Sequence, residues 1–99
     1  MDKARKLTAE EIGAALAGMD GWAEQAGKLH REYRFPDFVH AFGFMAASAV
    51  AIEAMNHHPD WSNVWNRVTV DLWTHDSGGI TQKDVDLARK LEALARRMA

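Results

Sequence analysis

Val64-Trp65-Asn66-Arg67-Val68-Thr69-Val70-Asp71-Leu72-Trp73 is the stretch that decides the fold of this chain. Val64, Val68, Val70 and Leu72 alternate with Trp65, Thr69, Asp71 and Trp73. Successive side chains of a strand point to opposite faces, so this alternation describes a strand with one covered and one open face. Asn66-Arg67 interrupts the pattern and reads as a break or bulge within it. An earlier run, Lys28 to Phe35, alternates in the same way. It puts Leu29, Arg31, Tyr33 and Phe35 on one face and His30, Glu32 and Arg34 on the other. Trp22 to Glu24 reads as a short strand joined to that run by a turn at Gln25-Ala26-Gly27.

Three helices surround these strands. Thr8-Ala-Glu-Glu11 has the form of a capping box, with Ile12, Ala15, Leu16 and Met19 following at helical spacing. Gly18 or Gly21 can stop this first helix. Pro36-Asp37 opens a central helix with Asp37 as N-cap. Between Phe38 and Ile52 the clearly polar side chains are His40 and Ser48 alone. Phe38, Phe42, Met45, Ala49 and Ile52 form one stripe, widened by Val39, Ala46 and Val50, and Phe44 lies off it. A surface helix normally keeps a polar face. This one hardly has one, and a single sheet cannot cover every side of it. A second subunit is therefore expected to cover the rest, with Phe44 as an interface side chain and strand edges such as Leu29–Arg34 extending the sheet between subunits. The bland alternative is a helix with many exposed alanines. The apolar run falls short of the roughly twenty residues of a membrane span, so no membrane segment is expected. Thr81-Gln-Lys-Asp84 caps a last helix carrying Val85, Ala88, Leu91, Ala95 and Met98 on one face, flanked by Leu87 and Leu94. Arg89, Lys90, Arg96 and Arg97 suit the C-terminal end of its dipole. The order is α-β-β-α-β-β-α. It predicts an α+β domain: a single four-stranded antiparallel sheet with three helices packed on one face.

Ninety-nine residues fit one domain, spanning 1–99, with a core small enough that oligomerisation would help it. A formal net charge of −2 argues against a general nucleic-acid binder. With no cysteine, neither a disulfide framework nor a cysteine-ligated zinc site is possible. The basic start Met1–Lys6 is not followed by an apolar h-region, so no signal peptide is read and a cytoplasmic protein is expected.

Three of the five histidines fall between Glu53 and His75: the adjacent pair His57-His58 before Pro59, and His75 after Thr74. Histidine titrates nearest neutral pH, so such a cluster points to proton transfer or metal binding. His57 and His58 lie where a helix gives way to a loop, and His75 lies where a strand does. Glu53 stands four residues before His57, one helical turn away where the helix persists, and could orient an imidazole. Asp60, Asp76 and Asp84 could do likewise. Trp61, Trp65 and Trp73 offer flat apolar walls suited to a planar ring. Each residue also has a structural reading: Glu53 as a surface charge, Asp84 as a cap, the tryptophans as core or sheet-face residues. Three histidines can bind zinc, but an adjacent pair lacks the turn-spaced geometry of common two-His helix motifs. No metal is expected. Ser48, Ser62 and Ser77 lack a nucleophile-elbow pattern.

The run Glu53-x3-His57-His58-Pro59-x-Trp61-x2-Val64-x-Asn66-x-Val68-x-Val70-x-Leu72-x-Thr74-His75, then Gly79-Ile80-x3-Asp84, resembles the pterin-4a-carbinolamine dehydratases. Arg31-Glu32-Tyr33-Arg34-Phe35 and Phe42-Gly43-Phe44-Met45 look like that family too. Trp65 stands where the family usually has tyrosine, and Trp73 is bulkier than expected beside a site histidine. The resemblance implies a hydro-lyase that dehydrates a 4a-hydroxytetrahydropterin to a quinonoid dihydropterin, recycling the pterin of aromatic amino-acid hydroxylases. It implies His57, His58 and His75 as the catalytic set, with His57 and His75 transferring protons and His58 orienting the pterin. Asn56 to His58, Trp61 and Trp73 to Asp76 (Trp73, Thr74, His75, Asp76) would bind the substrate, with Glu53 and Asp84 behind them. No cofactor is implied beyond the pterin substrate itself. The implied partners are a second copy or three more (homodimer or homotetramer) and a pterin-dependent hydroxylase. Some members of the family serve instead as dimerisation cofactors of a homeodomain transcription factor. A non-catalytic binding module, or a pterin-binding homologue in a pathway such as molybdopterin metabolism, is therefore the alternative.

Overall fold

The structure is a computed structural model and describes residues 4–98. The elements in chain order are α1 (Ala9–Leu16), β1 (Ala23–Gln25), β2 (Lys28–Arg34), α2 (Phe38–Met55), β3 (Asp60–Val64), β4 (Arg67–Leu72), a 3-10 turn (His75–Ser77) and α3 (Gln82–Met98). The four strands form one antiparallel sheet in the order β1-β2-β4-β3. This is the α-β-β-α-β-β-α order that the hydrophobic periodicity predicts.

Register sets the two faces. Leu29 pairs with Leu72, Arg31 with Val70 and Tyr33 with Val68, and Trp61 and Asn63 continue the last two rows on β3. Leu29, Tyr33, Val68, Val70 and Leu72 are buried against the helices. The opposite face carries His30, Glu32, Arg34, Thr69, Asp71, Asp60 and Ser62, and there His30 Nδ1 lies 2.8 Å from Asp71 Oδ1.

The predicted break at Asn66-Arg67 is a full reversal. β3 begins at Asp60, and Val64 pairs with Arg67 across a two-residue connection. Trp65 adopts a φ of 51° there, a conformation unusual for a bulky residue. Asn63 Nδ2 donates to the carbonyls of Trp65 and Arg67 at 3.0 and 2.9 Å, which holds the turn. The turn is therefore Trp65-Asn66, one residue earlier than the break read from the sequence, and Val64 lies with Arg67 on the open face rather than with Val68 on the covered one. The first hairpin is narrower than read: Ala26 and Gly27 both have positive φ, the geometry of a two-residue turn. Trp22 is a buried core residue and not part of β1.

Caps explain most helix boundaries. Thr8 and Glu11 form the expected capping box, and Asp37 accepts from His40 N at 2.8 Å. α1 ends at Leu16, before either glycine. α2 runs to Met55, longer than read, and stops because Asn56 takes a left-handed conformation with φ 50°.

The inward face of α2 is not the predicted one. Ala41, Phe44, Ser48 and Ile52 are buried, whereas Phe38, Val39, Phe42 and Val50 are exposed. Phe44 is fully buried, with ring centroids 5.1 Å from Tyr33 and 5.2 Å from Phe35. It therefore cannot be the interface side chain. The error is one of phase: α2 is apolar on nearly every side, so periodicity fixes its class but not its rotation. By length and composition α2 could cross a membrane, with a mean hydropathy of 1.6. One of its faces, however, is locked into the core against the sheet and α3.

β1 pairs only with Lys28–His30, so the Arg31–Arg34 half of β2 has no neighbouring strand on that side among the described residues. The expected sheet edge is thus this half, and Leu29 is not part of it.

Candidate active site

Three chain segments meet at one end of the sheet. They are the C-terminal end of α2, the exit of β4 into the 3-10 turn, and the first turn of α3. The left-handed Asn56 swings His57-His58-Pro59 away from the α2 axis toward β3. Beyond β4, Thr74 bridges back to Gly79, and this closes the loop that carries His75 and Asp76.

Asp84 organises the meeting point. It is fully buried, yet each of its oxygens is partnered. Oδ2 accepts from the Thr81 backbone N–H at 2.8 Å and from the Thr74 hydroxyl at 2.9 Å. A carboxylate only accepts, so the Thr74 proton points to Asp84, and Thr81 Oγ1, 2.7 Å away, donates to Thr74. Oδ1 lies 2.5 Å from Nε2 of His57. Asp84 is therefore both the cap of α3, placed where the helix dipole favours negative charge, and the partner of a histidine. The two readings of this residue drawn from sequence are both true of it. With Nε2–H given to the carboxylate, the His57 lone pair is left on Nδ1.

Glu53 faces His58 rather than His57. Its side chain is largely exposed, and its nearest histidine is His58, at 3.9 Å from Nε2. The helix ends between Glu53 and His57, so the turn-spaced relationship is lost. His58 is itself mostly exposed and only loosely held.

Asn56, His57, His58, Trp73, Thr74, His75 and Asp76 line a single cleft of about 520 Å³. All but one of the residues predicted to touch substrate are thus brought together. The exception is Trp61. Strand alternation puts Asp60 on the open face and Trp61 opposite Val70, on the covered one, where it packs against the core. Trp65 is also remote. It is an exposed residue at the tip of the β3–β4 hairpin, the end of those strands away from the histidines, and forms no wall of the cleft. Trp73 does: its ring centroid lies 4.1 Å from that of His75, with the planes 36° apart.

Sequence reasoning missed Lys83, which adds a cation to the cleft lining. One signal was available. A lysine in the first turn of a helix opposes the dipole, and such a placement invites a search for an anionic or polar partner. Among the described residues, no group of three or more His, Asp or Glu is gathered as a metal would need.

This fold and this cleft define a small α+β protein with a histidine-lined pocket at one end of its sheet. The chain belongs to the pterin 4 alpha carbinolamine dehydratase family, whose sequence profile matches residues 5–94. A Solibacter usitatus protein provisionally named a pterin-4-alpha-carbinolamine dehydratase is 61% identical over 90 residues, covering 91% of this chain and 95% of that one. A Rhizobium etli protein with the same provisional name is 46% identical over 99 residues, covering 97% and 98%. The crystal structure of a Brucella melitensis protein described as a transcriptional coactivator/pterin dehydratase superposes with a TM-score of 0.88 at 44% identity. It covers 92% of this chain and 99% of that one. A pterin dehydratase-like protein described as a RuBisCO assembly factor of the alpha-carboxysome shares the fold, with a TM-score of 0.67 at 22% identity over 78% of this chain and 92% of that one. Membership supports a pterin carbinolamine dehydratase-like function.

Proposed function

We propose that this chain dehydrates a 4a-hydroxytetrahydropterin to a quinonoid dihydropterin by histidine acid–base catalysis, and so recycles the pterin used by aromatic amino-acid hydroxylases. The observation that carries the reading is the convergence of His57, His58 and His75 on one cleft, with His57 held by a buried carboxylate. In the reaction the C4a–oxygen bond breaks, the nitrogen lone pair forms the new carbon–nitrogen double bond, and a ring-nitrogen proton is lost. One histidine protonates the departing hydroxyl so that it leaves as water, and another accepts the nitrogen proton. His57 suits the base, because Asp84 fixes its tautomer and leaves Nδ1 with the lone pair. His75 suits the acid, and His58 and Lys83 bind and orient the pterin. Metal-free chemistry suffices, since the nitrogen lone pair supplies the push.

Stopped-flow dehydration of a synthetic 4a-hydroxytetrahydropterin, with and without the protein, tests this. Acceleration above the uncatalysed background that survives a chelator is expected. Activity lost with EDTA and restored by zinc would overturn the metal-free mechanism, and no acceleration with any pterin would overturn the reaction.

A second reading has its own observation. Phe38, Val39, Phe42 and Val50 form an exposed apolar face on α2. Such a face fits a protein–protein contact. Assembly into a homodimer or homotetramer, or docking of another protein, is compatible with catalysis in the cleft, which lies past the C-terminal end of α2, away from Phe38 and Phe42.

A further inference from the structure

Trp73 is held in place on the rim of the cleft by two neighbouring side chains. Its Nε1–H donates to Asp60 Oδ2 at 3.0 Å, and Lys28 Nζ stands 5.1 Å from its ring centroid. The register makes this arrangement. Leu29 pairs with Leu72, so Lys28 and Trp73 are the next residues outward on the open sheet face. Asp60 pairs with Asp71 on that face, diagonal to Trp73. The indole is thus held from two neighbouring strands.

His75 has no such anchor of its own. His57 is fixed by Asp84, but among the described residues no side chain makes a hydrogen bond to the His75 ring. The imidazole sits on an exposed turn and rests on the Trp73 indole, centroids 4.1 Å apart and planes tilted by 36°. An exposed imidazole samples several rotamers, and only those that point a nitrogen into the cleft are productive. A tethered aromatic face beside it removes most of the others.

We infer that Trp73 is a positioning residue of this site, which acts through His75 by holding its imidazole against the cleft in the rotamer that proton transfer needs. The inference rests on the dehydratase reading above. Asp60 is the tether that makes the indole rigid enough to do this. Residues on the open sheet face thereby reach the chemistry at one remove.

Trp73→Ala and Trp73→Phe separate this role from a structural one, since the side chain is half-buried and outside the core. Trp73→Ala should lower kcat by about tenfold, and Trp73→Phe, which keeps an aromatic face but loses the N–H that reaches Asp60, should lower it by an intermediate factor of about threefold. NMR supplies a readout independent of turnover. The His75 ring protons, assigned with His75→Ala, should be shifted by the indole ring current and should move to ordinary histidine positions in Trp73→Ala. Unchanged kcat in Trp73→Ala, or His75 protons already at ordinary positions in the wild-type protein, would overturn the proposal. If the wild-type protein shows no turnover, the dehydratase reading fails, and the ring-current shift alone decides whether Trp73 positions His75.

Discussion

Nε2 of His57 and Oδ1 of Asp84 lie 2.5 Å apart and join the end of α2 to the first turn of α3. The carboxylate has two acceptor oxygens for three donors: the imidazole, the Thr81 amide and the Thr74 hydroxyl. Asp84→Asn retains one acceptor oxygen and adds an N–H₂ that must face a donor. We expect kcat to fall about 10²-fold as His57 loses its tautomer and orientation. Stability should fall by roughly 1–3 kcal/mol as a buried donor goes unpaired. Stopped-flow rates and denaturant titration measure the two effects. An Asp84→Asn protein with wild-type kcat would remove His57 from the mechanism.

The three histidines should separate kinetically. His57→Ala and His75→Ala should each reduce background-corrected kcat by about 10²-fold, the usual contribution of a general acid or base. His58 is exposed and held only by a long contact to Glu53, so His58→Ala should act mainly on KM. Lys83→Gln should raise KM as well, because its cation lines the cleft. If all three histidine variants stay folded with near-wild-type kcat, the chemistry lies elsewhere.

What the sequence showed, and what it hid, follows from the kind of signal involved. Strand alternation placed β2 and β4 correctly, because burial of Leu29, Tyr33, Val68, Val70 and Leu72 depends on a period of two that local composition reveals. The capping residues Thr8 and Asp37 were legible because their chemistry is local. The rotation of α2 was not, since a helix apolar all round carries no phase. The histidine cluster was legible by residue type and spacing. The choice of Asp84 over Glu53 as the partner of His57 needed the left-handed turn at Asn56, which brings residues 27 apart together. Trp61 and Trp65 looked like walls because aromatic residues near a site do. Only the hairpin register reveals that one faces the core and the other the solvent.

Tyr33 gives the fold an alkaline limit. Its ring is buried and its hydroxyl donates to Glu92 Oε1 at 2.7 Å. Burial first, and then the hydrogen bond to and negative charge of Glu92, push its pKa well above the ordinary tyrosine value. A group whose pKa is raised on folding contributes stability that is complete below its unfolded pKa, about 10, and that is lost as pH rises beyond it. The unfolded chain then ionises a tyrosine that the native chain keeps neutral. Tyr33 is the single tyrosine, so tyrosinate absorbance reports on it alone. That absorbance should appear only as helical circular dichroism collapses, and Tyr33→Phe should flatten the alkaline loss of stability. Tyrosinate forming near pH 10 with the helix signal intact would contradict this account.

The exposed face of α2 makes the assembly prediction specific. Phe38 and Phe42 are about half exposed, Val39 and Val50 largely so, and among the described residues no strand pairs with the outer side of Arg31–Arg34 in β2. A patch of this kind on so small a domain fits a homo-oligomer, as a dimer or tetramer, with helix-to-helix contact, strand pairing or both. Phe42→Glu introduces a charge where no core contact is lost. It should therefore lower the mass seen by light scattering and leave circular dichroism unchanged. Phe44 is the control, since it lies on the other side of the same helix and is fully buried between Tyr33 and Phe35. Phe44→Ala should cost about 3–5 kcal/mol of stability through the cavity it leaves, whatever the state of assembly. A wild-type chain that stays monomeric at micromolar concentration would sink the homo-oligomer. The apolar face of α2 would then require a different protein to cover it.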